Sequence, residues 1–362
     1  MQVYPIPMVP GPVKVPEPVL TAYQVNYGSA DLEPEFFDLY DRCEANLQQI
    51  MATKNRVVIA SGEGMLALWG ALKSCLMPGD RVLSIATGVF GDGIGDMAKQ
   101  VGAEVKKISF SYDRTLSDLK EVERAIDKFQ PKMITAVHCE TPSGTLNPLA
   151  ELGALKHDRK VPLFYVDAVS SIGGAPMLTD AWHIDLCLGG SQKCLSSLPD
   201  LSFIAVSEGA WKIIEQVGYA GYDALEPFRT AQTERFFPYT PNWQGISALT
   251  TGAELILDEG LEDCFARHEA AADLCRKGLE KIGIDLFPAA EAVCSPTVTA
   301  AKVPEDISWE DFDARLRTEG LAVGGSYGPM AGRVFRMGHM GSQAENDLVR
   351  QALSVIEKAA RA

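Results

Sequence analysis

The chain has no long hydrophobic run, no excess of basic residues and no paired cysteine motif. No apolar segment approaches the roughly 20 residues that span a membrane, and residues 1–14 lack a secretory pattern. With 48 acidic and 33 basic residues, the net charge of −15 argues against nucleic acid or an anionic membrane as partner. The eight cysteines include no C-x-x-C pair, which favours free thiols in a reducing compartment. We therefore predict a cytoplasmic location.

Internal repeats and low-complexity segments are also absent, and what remains is an ordinary globular composition. The 362 residues are 46% hydrophobic, and this length favours two domains with ample cores. We predict a large domain over residues 1–245 and a smaller C-terminal α/β domain over 246–362. In the second region an extended segment is predicted at 288–303, and helices are predicted at 247–257, 263–282, 309–318 and 343–360.

Within the large domain, short apolar runs alternate with amphipathic stretches such as 116–129 and 149–157. Such alternation is typical of helices packed on both faces of a mostly parallel sheet, so we predict an α/β fold. The predicted strands are 56–60, 81–86, 105–110, 133–138, 162–166, 184–188 and 203–206.

Lys193 lies just after the predicted strand 184–188, among small residues in Gly189-Gly190-Ser191-Gln192-Lys193. A lysine in that place is poorly exposed to solvent and well placed to form an imine. Asp167 ends another apolar run, 163–166. An aspartate and a lysine at two strand ends are the minimum that pyridoxal phosphate (PLP) chemistry requires, although a single lysine is more simply a solvated surface charge.

Small turns follow other predicted strands. Ser61-Gly62-Glu63-Gly64 leads directly into a predicted helix at 66–75, and a helix N-terminus offers free N–H groups to a phosphate. Thr141, in the turn 140–145, could reach a ring substituent of a cofactor. A plain turn explains both segments equally well.

A glycine-rich loop is predicted at 87–95. Its glycines at 91, 93 and 95 lack the spacing of a dinucleotide fingerprint, and no acidic ribose partner follows, so NAD binding is disfavoured. Phe90, on this loop, could lay its ring on a flat cofactor or simply pack in the core.

Taken together, Asp167, Gln192-Lys193 and the turn 140–144 resemble the class V aminotransferases of PLP fold type I, and within them the alanine–glyoxylate / serine–pyruvate group. The resemblance runs from Val9-Pro10-Gly11-Pro12 to Phe335-Arg336-Met337-Gly338. It implies a large domain with a mostly parallel central sheet flanked by helices and an N-terminal segment near the active site, and a smaller C-terminal α/β domain. It also implies pyridoxal 5′-phosphate as cofactor and a homodimer with shared active sites.

The resemblance also implies roles for individual residues. Lys193 would join the cofactor as an imine and shuttle a proton, and Asp167 would keep the pyridine nitrogen protonated. Arg336 would clamp the substrate carboxylate with its bidentate fork. The other implied cofactor contacts are Phe90 and Val169 on the two ring faces, Thr141 near the ring oxygen, Ser61, Gly62 and Gln192 at the phosphate, and Thr240 reaching the phosphate across a dimer interface.

The implied activity is a ping-pong transfer of an amino group from alanine or serine to glyoxylate or pyruvate. Glu63 departs from this pattern, because a carboxylate is repelled by a nearby phosphate dianion. The related pyridoxamine–pyruvate aminotransferases carry Glu in this turn and use unphosphorylated pyridoxamine, so that activity is the alternative. Gln192 and Tyr327 match that family less well.

Two further alternatives are weaker. A PLP lyase or desulfurase of the same fold usually has His before the lysine and a mobile cysteine, whereas Gln192 precedes Lys193 and residues 322–336 contain no cysteine. A non-catalytic scaffold would need no Lys193 or Asp167. The histidines show no metal-ligand spacing, and we predict no metal site.

Overall fold

The computed structural model describes residues 3–361. Its strands are β1 (Ile6–Pro7), β2 (Arg56–Ser61), β3 (Arg81–Ala86), β4 (Glu104–Ser109), β5 (Met133–Val137), β6 (Cys139–Glu140), β7 (Thr145–Leu146), β8 (Leu163–Asp167), β9 (Leu186–Gly190), β10 (Leu201–Val206), β11 (Val298–Lys302), β12 (Leu321–Ala322), β13 (Gly324–Gly325) and β14 (Val334–Gly338). Its α-helices are α1 (Glu17–Tyr23), α2 (Pro34–Ile50), α3 (Gly64–Cys75), α4 (Val89–Gln100), α5 (Leu119–Phe129), α6 (Leu149–Asp158), α7 (Glu208–Val217), α8 (Ala231–Glu234), α9 (Trp243–Glu259), α10 (Leu261–Lys281), α11 (Trp309–Thr318) and α12 (Asn346–Arg361).

The larger part of the molecule is built on one central sheet with the strand order β2-β10-β9-β8-β5-β3-β4. β10 runs antiparallel to both of its neighbours, and the other adjacent pairs are parallel. Every strand of this sheet begins and ends within two residues of a predicted apolar run. The predicted α/β fold with a mostly parallel central sheet is therefore confirmed.

Burial of both sheet faces explains why these strands read as unbroken apolar runs. All residues of β5, β8, β9 and β10 are buried. A strand covered by helices on both faces gains from apolar side chains at every position, not only at alternate ones.

One edge of the sheet collects the segments that carry chemistry. Because β2 is antiparallel to β10, and β10 to β9, β2 and β9 point in the same direction. The carboxyl ends of β2, β3, β5, β8 and β9 therefore lie at the same edge, where open α/β sheets bind ligands.

The segment predicted as a glycine-rich loop is a helix in the structure, since α4 begins at Val89 and contains Phe90. Its glycines allow the helix to lie close against β3. A Cβ on Gly91 would approach the Ile85 carbonyl to 2.9 Å, and one on Gly95 would approach the Ser84 side chain to 2.8 Å. The prediction of a loop was wrong because close helix–sheet packing, and not turn formation, accounts for these glycines.

The smaller part of the molecule has its own core, which includes Phe312, Phe335 and Ile356 and packs on the antiparallel sheet β11-β14-β13. Ile6 also belongs to this core, because β1 pairs with β12. The predicted boundary at 245 falls inside α9, whose buried side chains pack in the larger core. The division at 245 stays a prediction, and the packing of α9 argues for a later boundary.

Membrane crossing requires a long and apolar helix, and none of the helices within residues 3–361 is of that kind.

Candidate active site

A cavity opens at the carboxyl-end edge of the central sheet. Asp167 and Lys193, predicted from separate strand ends, both line it. The full lining consists of Glu63, Gly64, Met65, Leu68, Phe90, Thr141, Asp167, Val169, Ser170, Gln192 and Lys193. The topology therefore brings together residues that lie up to 130 positions apart in the chain.

Lys193 follows β9 by three residues, and its Nζ donates a hydrogen bond to the Pro10 carbonyl at 2.5 Å. Burial lowers the pKa of Lys193, and the positive charge of Arg336 lowers it further. Both effects favour the neutral amine, which is the form that acts as nucleophile or base.

The N-terminal segment packs directly on this lysine. Gly11 has a φ of +88°, and a Cβ at that position would lie 2.5 Å from Lys193 Cδ. Only glycine suits both the left-handed backbone and the space. The resemblance implied an N-terminal segment near the active site but no role for Pro10 or Gly11 themselves, and the combination of Gly and Pro in Val9-Pro10-Gly11-Pro12 was the available signal.

Asp167 is the last residue of β8 and is 6% exposed. Its Oδ1 accepts the Val169 N–H at 3.0 Å. Burial raises the pKa of Asp167 to about 6, while the Val169 N–H and the charge of Lys193 oppose that rise. A buried carboxyl of this kind would be stabilised as an anion by a cationic ring nitrogen.

The other walls of the cavity come from the first turn of α4, the segment after β8 and the turn after β6. Phe90 lies in the first turn of α4, and Val169 lies two residues after Asp167. Gly64 packs against Val169, since a Cβ on Gly64 would lie 3.0 Å from Val169 Cγ2. The Thr141 hydroxyl is 2.6 Å from that of Ser170.

The end of the cavity near α3 differs from the expectation for a phosphate site. The Gly62 N–H donates to the Asp200 carbonyl at 2.7 Å and the Ser61 N–H to the Tyr239 hydroxyl at 3.2 Å, and neither residue lines the cavity. The cavity is lined at this end by Gly64 and Met65, at the start of α3, and not by Ser61 and Gly62.

Glu63 lines this end of the cavity, and its Oε2 accepts a hydrogen bond from Gln192 Nε2 at 3.2 Å. Its side chain does not cap α3. Gln192 Oε1 is buried and has no hydrogen-bond partner. The glutamate therefore points into the site and fixes the orientation of the Gln192 amide.

Arg336 lies in β14 and is 4% exposed. Its Nε and Nη2 donate to the Gly325 carbonyl at 2.8 and 2.5 Å, and the Tyr327 ring centroid is 4.5 Å from its Cζ. These contacts, which sequence reasoning missed, hold the guanidinium in one orientation. Arg336 does not line the cavity itself, but its charge acts on Lys193.

Thr240 is exposed and does not line the cavity of its own chain. Its Oγ1 donates to Asp31 Oδ2 at 2.9 Å. Its contact with phosphate across a dimer interface stays a prediction.

The residues present fit a pyridoxal ring. The cavity combines a buried carboxyl for the ring nitrogen, a lysine whose pKa is lowered, and apolar surface from Phe90 and Val169. By contrast, no group of three or more His, Cys, Asp or Glu side chains in the described part of the chain is arranged to hold a metal ion.

Comparison with known proteins agrees with this geometry. The family described as Aminotransferase class-V matches residues 10–354. The chain belongs to the class V aminotransferases, a family that implies a PLP cofactor.

Several members of the family are similar over most of their length. The pyridoxamine–pyruvate transaminase of Mesorhizobium japonicum is 31% identical, over 90% of this chain and 84% of the relative. The alanine–glyoxylate aminotransferase of Oryctolagus cuniculus is 30% identical, over 97% and 91%. The crystal structure of pyridoxamine–pyruvate aminotransferase from Mesorhizobium loti superposes with a TM-score of 0.95 at 29% identity, covering 99% of this chain and 93% of that one.

Proposed function

We propose that the protein transfers an amino group from a small amino acid, alanine or serine, to a small 2-oxo acid, glyoxylate or pyruvate. It would work by a ping-pong mechanism, as a cytoplasmic homodimer with PLP in the cavity. The observation that carries the proposal is the presence of Asp167 and Lys193 on one cavity, together with a buried Arg336 whose charge acts on Lys193.

When bound, the cofactor supplies an electron sink for the negative charge that develops at the substrate Cα. Lys193 would hold it through the ε-amine and Asp167 through an ion pair with the protonated ring nitrogen. Phe90 and Val169 would contact the ring and exclude water from it.

Lys193 would also move the proton. Its lowered pKa makes the neutral amine available to take the proton from the substrate Cα and return it elsewhere on the bound molecule. The hydrogen bond to the Pro10 carbonyl would orient the amine until the substrate arrives.

Arg336 would bind the substrate carboxylate, and Arg336→Ala tests this role. We expect the KM for the amino donor to rise roughly ten- to hundredfold, because a charge-assisted bidentate contact is lost, with a smaller change in kcat. Arg336→Lys keeps the charge without the planar fork and should give an intermediate KM. Initial rates over a range of donor concentrations measure the effect, and an unchanged KM in Arg336→Ala would remove the residue from the site.

A panel of donors and acceptors tests the function as a whole. Lys193 is the sole basic side chain among the described residues that line the cavity. We therefore expect alanine or serine, with glyoxylate or pyruvate, to give a higher kcat/KM than aspartate or glutamate. Higher kcat/KM values for the dicarboxylic donors would contradict the proposed substrate class.

A second candidate function, transfer from free pyridoxamine to pyruvate, is favoured by one observation. The Glu63 carboxylate lies at the end of the cavity where a phosphate would bind, hydrogen-bonded to Gln192. A dianion placed there is repelled by the carboxylate, whereas a neutral hydroxymethyl group is not. The relative from Mesorhizobium japonicum carries the name of this reaction.

Mass spectrometry of the ligand released from the purified protein separates the two functions. PLP in the extract supports the first function, and amino transfer from pyridoxamine to pyruvate by protein that retains no PLP supports the second. We expect Glu63→Gln to increase the affinity for PLP relative to pyridoxal about tenfold, because one like charge near the phosphate is removed. An unchanged affinity ratio would show that Glu63 does not discriminate between the two ligands.

A further inference from the structure

We propose that Glu140, the last residue of β6, is a positioning residue, which fixes Phe90 and Thr141 around the cofactor by capping helix α4. This inference rests on the proposed function, because it concerns how firmly the cavity holds a vitamin B6 cofactor. Glu140 itself does not line the cavity.

Helix α4 has no cap of its own. Its N-cap residue is Gly88, and no side-chain cap hydrogen bond forms there. The first-turn N–H groups of a helix need acceptors, and an N-cap side chain usually accepts from the second or third helical residue. In α4 these two residues are Phe90 and Gly91.

Glu140 takes the place of the missing cap. Its Oε2 accepts the Phe90 N–H at 3.2 Å, and its Oε1 accepts the Gly91 N–H at 2.7 Å. The two residues that donate these bonds are about 50 positions away from Glu140 in the chain. The Glu140 carboxylate, at the end of β6, therefore holds the first turn of α4, the helix that follows β3.

The surroundings of Glu140 support this role. The side chain is fully buried, and no ion pair to a basic residue is found for it within residues 3–361. Burial raises the pKa of Glu140 to about 8, so the neutral and the ionised carboxyl are both accessible near neutral pH. The N–H groups of Gly91 and Phe90 oppose that rise, and the positive end of the helix dipole likewise favours the ionised form.

The space for this carboxylate exists because position 88 is glycine. A Cβ on Gly88 would lie 2.5 Å from Glu140 Cδ and Oε2. The backbone of Gly88 is extended, with φ −175° and ψ −170°, so the conformation itself would accept any residue. A local cap at Gly88 and the distant cap by Glu140 are therefore mutually exclusive.

The same residue also shapes the second wall of the cavity. Thr141 follows Glu140 directly, and the Glu140 carbonyl accepts the N–H of Gly144 at 2.9 Å, which closes the turn. Phe90 and Thr141, which both line the cavity, are thus tied to one residue. We infer that the separation of these two walls depends on the Glu140 carboxylate.

Glu140→Gln tests the inference, because it keeps the shape and replaces one acceptor by a donor. Titration of the cofactor-free protein with PLP should show a Kd raised roughly ten- to hundredfold, the range produced by losing a buried hydrogen bond to a charged group. The visible circular dichroism of the bound cofactor should weaken, since Phe90 no longer has a fixed position. Glu44→Gln is the matched control: Glu44 is a buried carboxylate that accepts the Val57 N–H outside the cavity.

An unchanged Kd and an unchanged dichroism in a folded Glu140→Gln variant would overturn the inference. If that variant does not fold, Glu140→Ala combined with Gly88→Asp decides, because Asp at the N-cap can use the vacated space to accept the same N–H groups. Recovery of both stability and Kd supports the inference. Recovery of stability alone, or no gain in stability over Glu140→Ala, overturns it. Wild-type protein that binds neither PLP nor pyridoxal would instead overturn the proposed function, and the inference with it.

Discussion

Lys193→Ala is expected to reduce turnover roughly 10⁴-fold or more, because proton transfer by a positioned base alone contributes up to that factor. Lys193 is the basic residue that lines the cavity, and burial and Arg336 both lower its pKa. The variant should still bind the cofactor non-covalently through Asp167 and the apolar walls. Borohydride treatment followed by intact-mass measurement should find the cofactor attached to wild-type protein and absent from the variant.

Lys193→Arg is the matched control for this experiment. Arginine keeps a long basic side chain but stays protonated, so it cannot serve as a neutral amine. We expect it to be as inactive as Lys193→Ala, and a small primary amine added to the alanine variant should restore part of the rate. Full activity in Lys193→Ala, or attachment of the cofactor to another lysine in the wild type, would contradict the assignment.

The strand ends were predictable from the sequence because buried strand positions carry apolar residues, whereas positions at the ligand-binding edge carry polar or small ones. β8 and β9 begin as continuous apolar runs, so the polar or small residues at and just after their ends mark the edge of the sheet. Asp167 and Lys193 stand at that edge. Parallel strands bring their carboxyl ends together, so two such residues were expected to share a site.

The contacts that position these residues were not predictable in the same way. Phe90 was expected on a loop because glycines surround it in the sequence. The sequence does not show that these glycines serve the close packing of α4 on β3. The bond from Lys193 to the Pro10 carbonyl joins residues 183 positions apart, and the Glu140 cap joins residues 50 apart. No local pattern encodes contacts of that kind, since they depend on how the chain is folded.

The orientation of the Glu63 side chain also could not be predicted from the sequence. The sequence shows a carboxylate in the turn before α3, but it leaves open whether that group caps the helix, points away or enters the site. The hydrogen bond to Gln192 Nε2 decides for the third possibility. The choice between a phosphorylated and an unphosphorylated ligand therefore depends on the charge of the Glu63 carboxylate, which lies beside Gln192 in the cavity.

Asp167→Asn should have opposite effects on activity and on the stability of the cofactor-free protein. Burial raises the pKa of Asp167 from its ordinary value of 3.8 to about 6. Ionisation of the folded form therefore costs stability as pH rises through this interval, and the cost is complete above about pH 6. Asparagine is neutral and can still accept the Val169 N–H. At neutral pH the cofactor-free variant should have a Tm equal to or above that of the wild type, by differential scanning calorimetry.

The same substitution should lower kcat roughly 10²–10³-fold, because the charge that would keep the ring nitrogen protonated is lost. The gain in Tm on adding PLP should shrink in parallel, since the ion pair contributes to binding. Asp185→Asn is a control for which we expect the opposite effects on Tm and kcat. Asp185 forms an ion pair with the buried Lys156 at 2.5 Å, outside the cavity. Its loss should lower the Tm of the cofactor-free protein and leave the kcat of the folded fraction intact. A normal kcat in Asp167→Asn would show that this carboxyl does not face the ring nitrogen, and a lowered cofactor-free Tm would show that its role is structural.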